Sequence, residues 1–270
     1  MPPEIIAPGP IYVPKGKARE YAHLALNTYF GCGHGCEYCY VWRRFGNKPI
    51  KPRPRKAVMM KKLSEQAAKL SGIKERVHLC FSCDPYQALD AEHHLTHEAL
   101  IILREYDIPF QILTKAGTSV RPDFCFYRSG DAFAVTLTLL DDLCWREWEP
   151  HAGNPILRIQ NLVAAHEMGI ETWVSLEPVL DAQQSLQIIR ETHEFVDLYK
   201  IGKLNYMEPP EPIDWRDFGI RAIELCESLR KPYFIKAELA RFLKDIPFSN
   251  TDNRCSDWRE HYGIRTNGGE

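Results

Sequence analysis

The amino-acid sequence predicts an α/β protein built on a parallel sheet with crossover helices. Two observations support this prediction. Short apolar runs alternate with helical patterns about six times along the chain, and this alternation is typical of β/α units. The residues directly after each apolar run are unusually polar, as expected where parallel strands place their carboxyl ends at one functional edge. A length of 270 residues with 44% hydrophobic content is enough for one large domain of this class.

Each predicted element has a local reason. Apolar, β-branched and aromatic residues predict strands over residues 26–30, 77–83, 109–113, 133–139, 171–176, 196–201 and 233–235. Helical composition or spacing marks residues 58–70, 94–106, 122–128, 155–168, 183–194, 215–229 and 238–244. The helix at 155–168 has the clearest ends, because Asn154 is a good N-cap, Pro155 suits the first helical position and Gly169 suits the C-terminal stop.

The domain organisation is expected to be simple. Residues 21–245 show no convincing internal boundary, and we interpret them as one core domain. A proline-rich N-terminal extension, residues 1–20, and a C-terminal tail, residues 246–270, are expected to be peripheral.

The charge, the apolar segments and the cysteines of the chain indicate its cellular compartment and the classes of partner it could bind. A net charge of −2 gives no global attraction for nucleic acid or membrane, although a local basic patch remains compatible with nucleic acid. The chain has neither a signal-peptide apolar region nor an apolar run of spanning length, so a cytoplasmic protein with no membrane partner is predicted. Nine scattered cysteines in a reducing compartment argue against a disulfide framework.

The sequence GCGHGCEYCY, residues 31–40, concentrates three cysteines in a C-x3-C-x2-C pattern. A disulfide clip conflicts with the predicted compartment. Zinc prefers four ligands, for which His34 or a distant thiol would be needed. Cys80 and Cys83 have a suitable spacing, but within a predicted strand their side chains would point to opposite faces. A [4Fe–4S] cluster on three thiolates keeps one iron open for another ligand, and this interpretation is favoured.

The segment CGHGCEYC resembles the cluster motif of radical S-adenosylmethionine (SAM) enzymes. The surrounding segments LNTYFGCGHGCEYCYV, FSCDPYQ, ILTKAG and WVSLEPVLD resemble the branch that includes spore photoproduct lyase, over about residues 24–205. The resemblance implies a partial TIM barrel, (β/α)6-like, in which Cys32, Cys36 and Cys39 hold the cluster. It also implies that SAM chelates the open iron. An electron from an external flavodoxin- or ferredoxin-like donor then cleaves SAM into methionine and a 5′-deoxyadenosyl radical, which acts on a substrate that the sequence does not identify.

The same resemblance suggests cofactor-binding residues, each of which also has a structural interpretation. Tyr38 would lie near the adenine, or simply pack as an aromatic. Ser82 and Asp84 would serve the SAM amino group, although Asp84 also suits a helix cap. Lys115 would bind the SAM carboxylate, or be a solvated lysine. The remaining candidates on later strands are Thr136, Thr138, Ser175 and Glu177, with Asn205 as a weaker one.

The candidate catalytic residues are Tyr40, which follows the cluster motif, and Cys83. Spore photoproduct lyase carries a hydrogen-donor cysteine three residues before the Asp of its second-strand motif, and Phe81 occupies that position here. Cys83 could take over the role after a shift in register, whereas Cys80 is expected to be structural. The departure puts repair of spore DNA in doubt.

A basic arm, defined as Arg43–Lys62, follows the cluster motif. It holds nine basic residues, no acidic residue and three prolines. It could contact nucleic acid or another phosphate-bearing substrate, or it could be a solvated loop. Three functions follow: a radical SAM enzyme with an unidentified substrate, a radical SAM enzyme that repairs or modifies nucleic acid, and a zinc-stabilised nucleic-acid-binding protein without catalysis.

Overall fold

A computed structural model of the protein describes residues 9–44, 46 and 48–250. The predictions for residues 1–8 and 251–270 lie outside this range. The strands are β1 (Leu24–Leu26), β2 (Tyr29–Phe30), β3 (Arg53–Pro54), β4 (Val77–Leu79), β5 (Phe110–Thr114), β6 (Ala132–Thr136), β7 (Glu171–Leu176), β8 (Leu198–Ile201) and β9 (Tyr233–Ile235). Seven parallel strands form the main sheet in the order β1-β4-β5-β6-β7-β8-β9, and β2 pairs with β3 as a separate antiparallel pair.

Helices connect the parallel strands, as the alternating pattern predicts. They are α1 (Tyr40–Arg44), α2 (Val58–Leu70), α3 (Asp90–His93), α4 (Leu95–Glu105), α5 (Asp142–Trp148), α6 (Pro155–Glu167), α7 (Ala182–Thr192), α8 (Trp215–Ser228) and α9 (Ala237–Ala240). Short 3-10 helices cover Gly16–Glu20 and Thr118–Phe126. Helix α6 begins as predicted, because the Asn154 side chain accepts a hydrogen bond of 2.7 Å from the Ile156 amide. The α/β fold class with a parallel sheet is thereby confirmed.

The two faces of the sheet differ because side chains alternate along each strand. One face carries large apolar residues such as Val77, Phe110 and Ile201, which join the helices in the main core. The other face carries a smaller cluster around Ala132, Ala134 and Trp173. We call the face with the smaller cluster the inner face. Buried polar side chains lie on this face and at the carboxyl ends of the strands.

Several predicted elements have different bounds. The strand predicted at 77–83 ends at Leu79, because Cys80 adopts a left-handed backbone with φ of 72°. The chain turns there and Cys83 lies beyond the strand, so the strand alternation that predicted opposite faces for Cys80 and Cys83 does not apply. The run at 26–30 is divided between β1 and β2. The helix predicted at 122–128 is the 3-10 helix, and the one predicted at 238–244 is the shorter α9.

The N-terminal segment, residues 9–23, packs on both edges of the sheet. Near β1, Tyr12 forms an antiparallel bridge with Ala25. Near β9, a Glu20 carboxylate oxygen accepts a hydrogen bond of 2.6 Å from the Ala237 amide. Tyr21 contacts Trp173 on the inner face, with ring centroids 5.9 Å apart. The segment thus spans the gap between the first and last strands of the sheet.

Candidate cofactor site

The cysteine loop, residues 31–39, lies between β2 and α1. Cys36 is buried, and Cys32 and Cys39 are half-buried. The loop turns tightly at Gly31, which has φ of 75°, and a Cβ there would lie 2.6 Å from the Ile50 carbonyl oxygen. Only glycine fits this turn without moving the neighbouring chain.

Gln87 fixes the backbone of the cysteine loop. Its side-chain amide donates to the Gly31 carbonyl at 3.1 Å and accepts from the Gly33 amide at 2.9 Å. Gln87 is almost fully buried, so these bonds are shielded from water. Across the loop, the His151 amide donates to the His34 carbonyl at 3.1 Å. The three thiols therefore sit on a backbone that is held from two sides.

Asp84 links the cysteine loop to the end of β5. Its carboxylate accepts hydrogen bonds from the Thr114 hydroxyl and the Lys115 amide, both at 2.7 Å, and from the Tyr86 amide at 2.9 Å. The His34 Nδ1 atom lies 3.7 Å from the same carboxylate. Burial lowers the pKa of His34, although Asp84 opposes the shift. Asp84 thus lies beside the cysteine loop, with most of its acceptor capacity used by the chain.

A buried ion pair between Glu149 and Arg158 lies next to Tyr38 of the cysteine loop. Glu149 and Arg158 have no exposed side-chain surface and form a salt bridge. The hydroxyls of Tyr38 and Thr138 donate to Glu149, and Arg158 donates to the Thr136 carbonyl at 2.9 Å. Burial opposes ionisation of Glu149, but the charges of Arg158 and Lys115 and the hydrogen bonds from Arg158 and Tyr38 together outweigh it and lower the pKa of Glu149. Glu149 and Arg158, which the sequence did not single out, thus join three predicted residues. These are Tyr38, Thr136 and Thr138.

Lys115 brings a positive charge to the cysteine loop. Its ammonium lies 5.5 Å from the ring centroid of Tyr38. Burial would lower the pKa of Lys115, but Cys36 and Glu149 outweigh it and raise the pKa. Within the described part of the chain, this ammonium forms neither a hydrogen bond nor an ion pair. It is a charged group available to an anion beside the thiols.

Ser175, Glu177 and Asn205 belong to a second polar cluster on the inner face. The Tyr21 hydroxyl donates to Glu177 at 2.9 Å and contacts the Ser175 hydroxyl at 3.0 Å. The Asn205 amide donates to Glu177 at 3.1 Å, and Lys236 forms a salt bridge with the same carboxylate. Burial disfavours the charge of Lys236, but Tyr21 and Glu177 outweigh it and raise the pKa of Lys236. The predicted SAM-binding residues are therefore divided between two clusters.

Ser82 and Tyr40 lie at the turn that follows β4. The Ser82 amide and hydroxyl both donate to the Asn27 side chain, at 3.0 and 3.1 Å. The Tyr40 hydroxyl donates to the Phe81 carbonyl. This bond connects the residue after the last loop cysteine to the turn that bears Ser82.

The thiol of Cys83 donates to the Tyr29 carbonyl at 3.4 Å, and its side chain packs against the main core. Burial and the neighbouring Cys80 raise the pKa of Cys83. Phe81 instead stacks on His78 with ring centroids 4.2 Å apart. Since both rings also contact Tyr21, the inner face at this height carries Phe81 and not a thiol.

Three free thiols, those of Cys32, Cys36 and Cys39, are the ligands that the cysteine loop offers to a metal or a cluster. Within residues 9–44, 46 and 48–250, no three Cys, His, Asp or Glu side chains converge as ligands of a single ion. Three thiols spread along one hydrogen-bonded loop, with the Lys115 ammonium 5.5 Å from the Tyr38 ring centroid of that loop, fit a larger group such as an iron–sulfur cluster. Burial raises the pKa of Cys32 to about 12, so a metal bound there would itself have to favour the thiolate.

The fold is that of the partial TIM barrels of radical SAM enzymes. Spore photoproduct lyase complexed with dinucleoside spore photoproduct superposes with a TM-score of 0.62 at 14% identity, covering 83% of this chain and 79% of that chain. SuiB of Streptococcus suis, bound to S-adenosylmethionine, superposes with a TM-score of 0.62 at 15% identity, covering 85% and 54%. These likenesses confirm the expected fold.

In sequence, the chain is similar to two mycobacterial proteins, Rv2578c of Mycobacterium tuberculosis (strain ATCC 25618 / H37Rv) and Mb2609c of Mycobacterium bovis. Each is 26% identical over 180 residues, which cover 62% of this chain and 52% of the relative. The chain thus spans about half the length of these curated relatives. No family model matches the chain. Among the described residues, no helix combines the length and the apolar character that crossing a membrane requires.

Five residues of these clusters escaped the sequence analysis. Gln87 had a signal, because it follows Asp84 by three positions in the segment CDPYQ. Glu149 and Arg158 are nine residues apart and belong to no motif. Tyr21 and Lys236 meet only because the N-terminal segment crosses the sheet to the end of β9. Such pairings depend on tertiary structure and leave no local pattern.

Proposed function

We propose that the protein is a radical SAM enzyme that cleaves S-adenosylmethionine reductively at a [4Fe–4S] cluster and generates a 5′-deoxyadenosyl radical. The observation that carries the proposal is the position of the Lys115 ammonium, 5.5 Å from the Tyr38 ring centroid in the loop that bears Cys32, Cys36 and Cys39. Support comes from the fold, which spore photoproduct lyase and SuiB share. Solved forms of both proteins bind AdoMet.

The residues of the chain take distinct roles in this proposal. The three loop cysteines hold the cluster, and Gln87 keeps their backbone in place. Lys115 binds the carboxylate of SAM by a charge-assisted hydrogen bond. When bound, the cluster supplies the electron that cleaves the sulfonium and an open iron for SAM. Asp84 holds Lys115 through its backbone amide.

Other predicted residues have supporting roles in the proposal. The Glu149–Arg158 pair orients the Tyr38 ring toward the adenine and holds Thr136 and Thr138. Ser82 serves the amino group, and Ser175 and Glu177 line the substrate side. Tyr40 and Cys83 are proposed to assist hydrogen transfer. For Cys83 this requires a movement away from Tyr29.

The test is anaerobic reconstitution with iron and sulfide, followed by SAM and dithionite. We expect 5′-deoxyadenosine and methionine by mass spectrometry in the wild type, and none in the variant with Cys32, Cys36 and Cys39 all replaced by alanine. A colourless protein with bound zinc, no iron and no 5′-deoxyadenosine would contradict the proposal. That result would favour the zinc-stabilised binding protein.

Lys115→Met is expected to weaken SAM binding by about 30-fold, because a hydrogen bond to a charged group contributes roughly 1.5–3 kcal/mol. The measurement is the Kd for SAM of the reconstituted protein by equilibrium dialysis. Iron content should stay at the wild-type value, since Lys115 is not a cluster ligand. Lys69→Met, on the exposed side of α2, is the matched control. An unchanged Kd in Lys115→Met would remove this assignment.

Repair or modification of nucleic acid is a second candidate function. It is suggested by the dinucleoside photoproduct in the complex of spore photoproduct lyase, and the basic arm of this chain is the surface that such a function would use. SuiB, however, is bound to a precursor peptide in another solved form. Because the two neighbours carry different substrates, the fold does not select a substrate class. Gel-shift assays with DNA and RNA, with the basic arm neutralised as a control, test this function.

A further inference from the structure

We propose that the basic ribbon, defined as the exposed residues Lys48, Lys51, Arg53, Arg55 and Lys56, is the docking surface for an acidic one-electron carrier protein. The inference rests on the proposed function, which requires an electron at the cysteine loop. It goes further by assigning a surface of this chain to the donor.

The ribbon is joined directly to the cysteine loop. Phe30 ends β2 one residue before Gly31, and it pairs with Arg53 of β3. A Cβ on Gly31 would lie 3.1 Å from the Lys51 carbonyl oxygen, which shows how closely the two backbones approach. Cys32 and Cys39 are only half-buried. An electron delivered at the ribbon therefore has a short path through packed protein to the thiols.

The positive charge of the ribbon is uncompensated. All five cations are exposed, and the sequence has no acidic residue between Glu37 and Glu65. Within the described part of the chain, none of the five forms an ion pair. The whole chain is slightly acidic, with a net charge of −2, so the ribbon is a local asymmetry. Such a field steers an acidic partner to one face.

An exposed aromatic residue, Phe30, lies against two arginines of the basic ribbon, as is common in protein–protein interfaces. Phe30 is 39% exposed. The guanidinium groups of Arg53 and Arg55 lie 4.6 and 5.7 Å from its ring centroid. Arginine on an aromatic residue is typical of interface hot spots, and its planar fork matches carboxylates. Prolines at 49, 52 and 54 restrict the backbone and reduce the entropy lost on docking.

The same contacts disfavour nucleic acid as the occupant. Binding of single strands relies on aromatic rings whose faces are open to stacked bases. Phe30 is a large exposed aromatic side chain in contact with the basic ribbon, and two guanidinium groups already lie over its ring. A folded acidic carrier needs no open ring, because its carboxylates can pair with the outer edges of the arginines.

The redox step is a single electron transfer. The carrier, a flavodoxin hydroquinone, loses one electron and becomes the semiquinone. A cluster held by the loop thiols would gain that electron, and no bond between the proteins would form or break. The complex need only be transient, and such redox encounters use small interfaces. Charge complementarity is then the main determinant of binding, and it is screened by salt.

The first test measures binding of a recombinant oxidised flavodoxin to the reconstituted protein by isothermal titration calorimetry. The variant is Arg53→Glu with Lys56→Glu. The matched control is Lys69→Glu with Lys74→Glu, which makes the same charge change at and beyond the end of α2. We expect the Kd to rise about 10-fold or more in the ribbon variant and less than about twofold in the control. Equal Kd values in the two variants would overturn the proposal.

A second measurement separates this inference from the proposed function. Formation of 5′-deoxyadenosine is followed with flavodoxin hydroquinone and, separately, with dithionite, which needs no docking surface. We expect the ribbon variant to lose rate with flavodoxin and to match the wild type with dithionite. Equal rates with flavodoxin would overturn the docking surface alone. No product from the wild type with either reductant would count against the proposed function. Unchanged flavodoxin binding with lost binding of a single-stranded oligonucleotide would reassign the ribbon to nucleic acid.

Discussion

Replacing Cys36 with serine is expected to abolish assembly of the iron–sulfur cluster and, with it, cleavage of SAM. Cys36 is the buried member of the three loop thiols, and the Lys115 ammonium lies 5.5 Å from the ring centroid of Tyr38 in the same loop. A serine hydroxyl ionises far less readily than a thiol and is a poor ligand for iron in such clusters. The wild type should hold about four iron and four acid-labile sulfide per chain, and Cys36→Ser should fall to background.

The matched control is Cys125→Ser. Cys125 is exposed and lies in the 3-10 helix Thr118–Phe126, away from the cysteine loop. Its iron and sulfide content should equal that of the wild type. If Cys36→Ser retained full iron and sulfide and still formed 5′-deoxyadenosine, the assignment of Cys36 as a cluster ligand would be wrong.

Arg158→Leu is expected to lower the free energy of unfolding by about 3–5 kcal/mol, because it leaves Glu149 as a buried carboxylate without its partner. Both side chains are fully buried. The loss should extend to the site, since Glu149 also accepts hydrogen bonds from Tyr38 and Thr138. Urea unfolding of the cluster-free protein, followed by circular dichroism, measures the stability. SAM binding by the reconstituted variant measures the effect on the site.

Two comparisons isolate the buried charge. Replacing Arg158 and Glu149 together by leucine should recover part of the lost stability, because no unpaired charge is left inside. Arg221→Ala removes an exposed pair with Asp217 and should cost less than about 1 kcal/mol. If Arg158→Leu lowered the free energy of unfolding no more than Arg221→Ala does, other groups would have to stabilise the Glu149 carboxylate.

Local signals in the sequence predict much of the fold. The cap at Asn154, the proline after it and the glycine at 169 give the ends of α6 within one residue. The polar residues after each apolar run predict a site at the carboxyl ends of the strands. Asp84 and Lys115 follow β4 and β5 and lie next to the cysteine loop, and their role there stays a prediction. These features depend on neighbours in the chain, so a single sequence is enough to detect them.

The features that the sequence did not reveal depend on long-range packing. The left-handed backbone of Cys80 ends β4 early, and a cysteine gives no sign of that conformation, which glycine would give. The pair of Glu149 with Arg158 and the salt bridge of Lys236 with Glu177 join segments that no spacing rule connects. The division of the predicted SAM-binding residues into two clusters follows from these pairs.

The most direct test of the central claim is whether SAM contacts the metal group held by the cysteine loop. The measurement is the electron paramagnetic resonance spectrum of the reconstituted, dithionite-reduced protein with and without SAM. We expect SAM to change the spectrum of the wild type. At the same SAM concentration, the change should be weaker in Lys115→Met, with iron content unaltered. A fully loaded wild-type protein whose spectrum is identical with and without saturating SAM would contradict the account.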